Sequence, residues 1–314
     1  MTEISKTVLD RYQIRKTKKQ KTEFIEFVKQ EADRQQLPCR IEPGMLGARN
    51  VVVGDPETAK VVYTAHYDTC PRLPFPNFIT PKNFWIYLLY QVCVIFLFIF
   101  LPIFLISFGI GAVSALLGVE ETVLDLAFLI EDLLILGALV LILAGPANKH
   151  TANDNTSGVT VLLELMQKMP ANQRERVAFV FFDLEEMGLF GSAGFASKHK
   201  KALKNTPIVN FDCVSDGGTV LFALRRGAAE LAPTFEASFP IVEGIRTEVH
   251  TRGVFYPSDQ MNFPCGIGVA ALKSTKNRKL LYMDRIHTNR DTVWREENIA
   301  YLVDGSIRLA QQLS

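Results

Sequence analysis

The chain has 314 residues and a formal net charge of +1, long enough for a hydrolase core of roughly 200 to 250 residues with additions and too nearly neutral to point to nucleic acid as a partner. Its five cysteines (Cys39, Cys70, Cys93, Cys213, Cys265) are odd in number and scattered. Neither a disulfide framework nor a thiolate metal site is expected, and a reducing compartment is.

In chain order, residues 1–36 carry apolar positions at helical spacing, among them Ile14, Phe24, Phe27 and Val28, around the basic run Arg15-Lys16-Thr17-Lys18-Lys19-Gln20-Lys21. The pattern predicts a basic amphipathic helical segment with a solvated charged face. Each basic residue near an anionic lipid surface would add about 1 kcal/mol of attraction as a secondary role. No apolar core region of a signal peptide is present. Residues 50–55 and 60–65 read as a hairpin leading into His66. Between residues 83 and 119 no charged side chain occurs, and 84–108 alone is long enough to cross a hydrocarbon core of about 30 Å. The stretch 122–145 is interrupted by Asp125, Glu131 and Asp132. Its apolar residues, at roughly −0.3 to −0.6 kcal/mol each, nearly balance central acids at about +2.5 to +3.5 kcal/mol each, so insertion would lean on a partner helix. Beyond it the pattern alternates: a helix after Asp154, a strand over 176–182, a helix over 188–204, strands near 207, 219, 246 and 268, and a closing helix over 294–313. That is the signature of a layered α/β domain.

The residues that carry chemistry stand where runs of β-type residues stop. His66 and Asp68 follow 60–65, Glu185 and Glu186 follow 177–182, and Asp212 follows 207–211, with Asp154 and His287 elsewhere. Sites in open α/β sheets are built at such ends. Carboxylates and imidazoles without a thiolate suit zinc, with manganese or cobalt as alternatives. Ligands drawn from positions 66 to 287 converge only after folding, which fits two ions sharing one carboxylate at roughly 3.5 to 4 Å. Taken singly, each motif reads more simply as a turn, a helix start or an N-cap; their ordered set carries the weight. His150, His199 and His250 show no partner pattern, and His199 in Lys198-His199-Lys200-Lys201 reads as a solvated helix end. Asp183 and Asp291 read as supports.

On these motifs the chain resembles the zinc metallopeptidases of the bacterial leucyl aminopeptidase and aminopeptidase Y type. His66-Tyr67-Asp68, Asn153-Asp154-Asn155-Thr156-Ser157-Gly158, Glu185-Glu186-Met187-Gly188-Leu189-Phe190-Gly191-Ser192, Asn210-Phe211-Asp212 and His287-Thr288-Asn289-Arg290-Asp291-Thr292 carry the likeness, from about residue 50 to the C-terminus. The resemblance implies a mixed, mostly parallel central sheet of about eight strands with helices on both faces. It further implies two Zn2+ ions (Mn2+ or Co2+ as substitutes), His66 and Asp212 holding one, Glu186 and His287 the other, and Asp154 bridging. Glu185 would be the general base and acid toward a metal-bridged water, and Asp68 would fix the tautomer of His66. Ser258-Asp259-Gln260 resembles a family motif with glutamine where histidine is common, which bears on substrate contacts and not on the metals.

The expected organisation is therefore an N-terminal segment 1–36, a catalytic domain 37–70 with 151–314, and an inserted hydrophobic hairpin 71–150 with membrane helices at about 84–108 and 122–145. Since the chain on either side of the insertion must meet in one site, it crosses a bilayer twice or not at all. Arg72, Lys82, Lys149 and His150 at the feet and Glu120 and Glu121 at the tip put the catalytic domain on the cytoplasmic side. The function expected is a membrane-associated exopeptidase acting on peptides with a free N-terminus. Lipid is its partner through residues 84–145, and the hairpin is a candidate contact for a homo-oligomer; a soluble lid or dimer contact is the competing use of these residues. Rival functions are a glutaminyl cyclase, a carboxypeptidase or deacylase on the same core, and a non-catalytic scaffold.

Overall fold

The computed structural model describes every residue except Val119, Arg278 and Ser314, and the side chain of Glu121. The chain forms two compact units, Met1–Lys82 with Ala147–Ser314, and Asn83–Pro146.

The first unit opens with α1 (Glu3–Arg11) and α2 (Lys18–Arg34). Thr2 caps α1 by accepting from the Ser5 N–H, and Thr17 with Gln20 forms a full capping box on α2, which satisfies donors the helix ends leave free. The expected single segment is thus broken at residues 12–17. Its basic run is not simply a solvated face: Arg15 and Lys21 are buried. Lys21, on α2, pairs with Asp183, and Arg15, between the helices, donates to the Tyr67 carbonyl.

Strands β1 (Cys39–Pro43), β2 (Arg49–Val53) and β3 (Val61–His66) follow. The expected hairpin of 50–55 with 60–65 does not form. Strand β2 pairs antiparallel with β1 and with β4 (Val177–Phe182), and β4 lies between β2 and β3. A run as apolar as Val177–Phe182 must be covered on both faces and takes the central place.

After β3 the chain enters the second unit. There α3 (Phe84–Ile95), a π-helical turn (Phe96–Phe100) and α4 (Leu101–Leu117) run on as 34 helical residues, and α5 (Glu121–Ala144) returns. The first stretch extends nine residues beyond the expected end at Phe108. Both stretches are long and apolar enough to cross a membrane, with 0% and 6% of their most apolar windows buried. Among the described acids there, Asp125 and Asp132 are exposed while Glu131 is buried, its carboxylate accepting from the Ser107 hydroxyl at 2.7 Å.

Back in the first unit come α6 (Gly158–Lys168), β4, α7 (Phe190–Lys198), β5 (Ile208–Phe211), β6 (Thr219–Leu224), α8 (Ala232–Ser238), β7 (Arg246–His250), β8 (Gly266–Ser274), β9 (Leu281–Tyr282) and α9 (Glu296–Gln312). The sheet runs β1-β2-β4-β3-β5-β8-β6-β7, with β9 beside β8. Pairings β4-β3, β3-β5, β5-β8 and β6-β7 are parallel and the others antiparallel. Alternate residues feed two apolar layers. Val61, Tyr63, Phe179, Phe181, Val209 and Phe211 pack in the layer shared with residues of α1, α2, α6 and α9. Val62, Val180, Phe182 and Ile208 pack with Phe195 of α7 and with Leu203 and Phe263. Helices therefore cover both faces of a mixed sheet, as expected. The parallel strands β4, β3 and β5 lie side by side, so their carboxyl ends open at one place.

Candidate metal centre

His66 is the last residue of β3, Glu185 and Glu186 lie in the turn after β4, and Asp212 directly follows β5. Asp154 enters from the irregular turn before α6, where the Asp154–Asn155 peptide is cis. His287 comes from the loop after β9. The fold brings all of them together. His66 Nε2 lies 3.4 Å from Asp154 Oδ1 and 3.5 Å from Asp212 Oδ1. His287 Nε2 lies 3.1 Å from Asp154 Oδ2 and 3.3 Å from Glu186 Oε2. Each oxygen of Asp154 thus faces a different imidazole. Ligand atoms of His66, Glu185 and Asp212 form one group within 4.8 Å of one another, and those of Cys70, Asp154, Glu186 and His287 form another.

Backbone geometry is bent to achieve this. Leu184, Leu189, Cys213 and His287 all have positive φ, between 57° and 64°. A side chain in the left-handed region costs about 1 kcal/mol or more, and such strain persists where surrounding contacts impose it. Glycine is required at 158, where an added Cβ would collide with the Phe211 carbonyl oxygen. That close approach lets α6 start against the end of β5.

A second layer of polar groups holds the donors. Asp68 was expected to accept from the His66 ring; instead Nδ1 lies nearer the Asp68 main-chain oxygen (3.2 Å) than its carboxylate (3.6 Å). A carbonyl only accepts, so this contact places the proton on Nδ1 and leaves Nε2 facing Asp154 and Asp212. The Asp68 carboxylate accepts from the Glu185 and Glu186 N–H groups at 3.0 and 3.2 Å and so orients the two glutamates. Asp291 accepts from the N–H groups of Asn153 and Asp154, steadying the aspartate rather than only the His287 loop. Asn155 donates to the Phe211 carbonyl and accepts from Gly158 and Cys213 N–H. Asp183 accepts from Lys21 and from the Arg49 and Leu184 N–H groups.

Several contributors carry no role assigned from the sequence. Arg15, fully buried, donates to the main-chain oxygens of Tyr67 and Tyr12 and to Thr156; in the sequence it was one member of a basic run. Asp259 is buried with no hydrogen-bond partner on either oxygen. Cys70, four residues after His66, was set aside with the other thiols. Gln260, by contrast, is withdrawn from the site: its amide donates to the Tyr256 carbonyl and its oxygen accepts from Asn210. His199 is no solvated helix end. It is buried, with Nε2 2.9 Å from Glu42 and Nδ1 2.8 Å from Glu57.

Charge is out of balance here. Burial, then the charges of Glu186, Asp212 and Asp259, push Glu185 well above the usual carboxylate range. Burial, then Asp154, lifts Glu186 to about 8. Burial, with the Asp68 and Asp212 charges, lifts Asp259 to about 7, and burial with Asp154 lifts Asp291 to about 8. Burial would lower the histidines, yet Glu186 and Asp154 raise His287 to about 9, and Glu185, Asp154 and Asp212 raise His66 well above its ordinary value. Burial would raise Asp154, but its bonds to His287 and His66 outweigh this and lower it. Acids this crowded demand cationic charge. Two buried carboxylate oxygens, Glu186 Oε1 and Asp212 Oδ1, have no hydrogen-bond partner. Orphaned acceptors among carboxylates and imidazoles fit a borderline divalent ion such as zinc.

Comparison with known proteins places this arrangement. The profile of peptidase family M28 matches residues 140–302, more than half of the chain. No curated protein matches the sequence. Among solved structures, the LapA aminopeptidase of Legionella pneumophila is similar at TM-score 0.56 and 13% identity, covering 99% of this chain and 68% of its own. Porphyromonas gingivalis glutaminyl cyclase is similar at 0.58 and 14%, covering 99% and 98%. A Zn-dependent exopeptidase from Parabacteroides distasonis is similar at 0.55 and 14%, covering 98% and 94%. At these identities the likeness is one of fold.

Proposed function

The chain belongs to peptidase family M28, and on that premise we propose that it is a membrane-anchored di-zinc aminopeptidase. The observation that carries the reading is the split of the centre about Asp154, one oxygen toward His66 and the other toward His287. His66 and Asp212 would hold one ion, Glu186 and His287 the other, and Asp154 both. When bound, zinc supplies Lewis acidity toward a peptide carbonyl and lowers the pKa of water.

The chain's own residues do the rest. Glu185 is the carboxylate this ligand set leaves over, and it stands beside His66 and Asp212. Its carboxylate takes a proton from the attacking water and delivers it to the leaving amine nitrogen, work for which a carboxylate raised above its ordinary range is suited. Asp68 holds the Glu185 N–H, so the base is aimed by a fixed turn rather than by a free side chain. Buried Asp259 adds negative charge that favours a protonated Glu185 after the first transfer. The substrate's free amine would dock against the centre's carboxylates.

The apolar helices of the second unit supply the anchor. Lys82 and Lys149 at the feet against the acids at the tip support a catalytic unit on the cytoplasmic side. A glutaminyl cyclase is the second reading, supported by the fold shared with such an enzyme. It would require one ion, whereas the donors here gather about His66 and, separately, about His287. The test is a panel of aminoacyl anilides, N-blocked anilides and N-terminal glutaminyl peptides, with and without chelator. Chelator-sensitive release from free-amine substrates alone is the expected result. Cyclisation of glutaminyl peptides without hydrolysis, or equal cleavage of blocked substrates, would overturn it.

A further inference from the structure

The Cys70 sulfur shares one cluster with donor atoms of Asp154, Glu186 and His287, all within 4.8 Å of one another. We propose that Cys70 is a further protein ligand to the ion held by Glu186 and His287, so that the two halves of the centre differ in kind. The inference rests on the di-zinc reading above and deepens it.

Position is the first argument. Cys70 is fully buried, and main-chain bonds at Cys70 and at Leu73 tie its segment to Asn148 and to His287. Its carbonyl accepts from the Asn148 N–H at 3.1 Å, and Leu73 N–H donates to the His287 carbonyl at 2.8 Å. Between them Pro71 forms a β-bridge with Ala147. The Asn148 side chain in turn donates to the Thr288 carbonyl at 3.0 Å. The thiol therefore reaches the cluster from a rigid segment. A second, independent sign is Glu186 Oε1. It is buried on a side chain only 7% exposed and has no hydrogen-bond partner, so the same cluster holds a donor atom awaiting an acceptor of electrons.

Chemistry supplies the consequence. Coordination forms one metal–sulfur bond and releases the thiol proton to solvent, with no change of oxidation state. Cys70, Glu186, His287 and Asp154 would then make four protein donors, the number that closes a zinc site. The other half, with His66, Asp212 and Asp154, has three and keeps the open position next to Glu185. One ion becomes the tightly held partner and the other the exchangeable one that faces substrate. The sulfur also biases its half toward zinc over manganese, while the oxygen and nitrogen donors of the other half are more permissive.

Cobalt(II) substitution of the full-length protein in detergent tests this without any activity measurement. A thiolate-to-cobalt charge-transfer band in the near ultraviolet is expected in the native chain. It should persist in Cys213→Ala, the other thiol near the acids, and disappear in Cys70→Ser. Cys70→Ser should also lose one ion to a competing chelator at a concentration at least about tenfold lower than the native chain. If Cys70→Ser does not fold, a variant retaining Cys70 as its sole cysteine must still show the band. A cobalt-loaded native protein without the band, or a band that survives in folded Cys70→Ser, overturns the proposal. The metal count separates this from the reading beneath it: two ions with no band refute Cys70 alone, whereas the band with a single ion supports Cys70 and refutes the di-zinc reading.

Discussion

Glu185 and Arg15 show how differently a buried charge is used at the level of single residues. Among the described residues no lysine or arginine pairs with Glu185, and the nearby His66 charge only partly offsets its burial; that cost is accepted because its proton is needed. Glu185→Gln keeps the size and the Asp68-held turn but cannot move a proton. Turnover should fall by about 10²- to 10⁴-fold or more, with bound metal unchanged by elemental analysis. Near-native hydrolysis of an aminoacyl anilide would remove Glu185 from the role of base. Asp154→Asn should lose metal as well as activity, since its oxygens face both halves of the centre. Arg15 is held instead by main-chain oxygens and by the face of Phe24, 5.3 Å from its guanidinium carbon; burial lowers its pKa to about 10. Arg15→Met preserves the stem but strands the Tyr12 and Tyr67 carbonyls. A loss of about 3 kcal/mol in denaturant-measured stability is expected, and a loss under about 0.5 kcal/mol would show that its bonds are replaced by water.

Strands and helices decide where those residues can stand. Strand β3 between β4 and β5 sets three carboxyl ends side by side, and Asn155 then ties the start of α6 to the end of β5. At the far edge, Glu42 of β1 joins Arg40, Lys198 and His199 at 2.9, 2.6 and 2.9 Å. This binds β1 to the end of α7. Burial would raise Glu42, but its bonds to Lys198, His199 and Arg40 outweigh this and hold it at about 2, below the ordinary value near 4.5. A carboxylate with a depressed folded-state pKa stabilises the fold fully above its unfolded value and loses that contribution as pH falls through the folded one. The stability difference between the native chain and Glu42→Gln should accordingly be constant above about pH 5 and shrink toward pH 2. A difference flat across that range in urea titrations would deny the network its role. The periodicity of α9 is plain in the sequence because its buried residues recur at helical spacing, whereas α6 is buried all round from Gly158 to Met166. The run over 188–204 divides into α7 and a short 3-10 turn, and the pairing of β2 was misread, because which strand lies beside which is not a local property.

For the molecule as a whole, the described helices of the second unit carry many exposed large apolar side chains, the surface an anchor of the kind proposed would present to lipid. Full-length protein should sediment with membranes and resist extraction by salt or carbonate. Replacing residues 84–145 with a short Gly-Ser linker should release a soluble, zinc-binding first unit, since the Pro71–Ala147 bridge and the Asn148–Cys70 bond close its chain path without the hairpin. Full-length material that stays in the supernatant without detergent would favour the lid or dimer contact instead. Protease protection in sealed vesicles checks the side: Lys- and Arg-rich loops of the first unit should be cleaved from the cytoplasmic face only.

What the sequence determined by itself was the set of candidate donors and the class of fold. Donor types at strand ends and unbroken apolar runs are written residue by residue, and the ordered motifs needed no coordinates to be read together. What only the tertiary structure decided was proximity. It turned Arg15, Lys21 and His199 inward, withdrew Gln260 from the site, and brought Cys70 within reach of His287. The physical reason is that burial and contact come from packing between segments far apart in the chain, and a sequence states what each side chain can do but not what it will face.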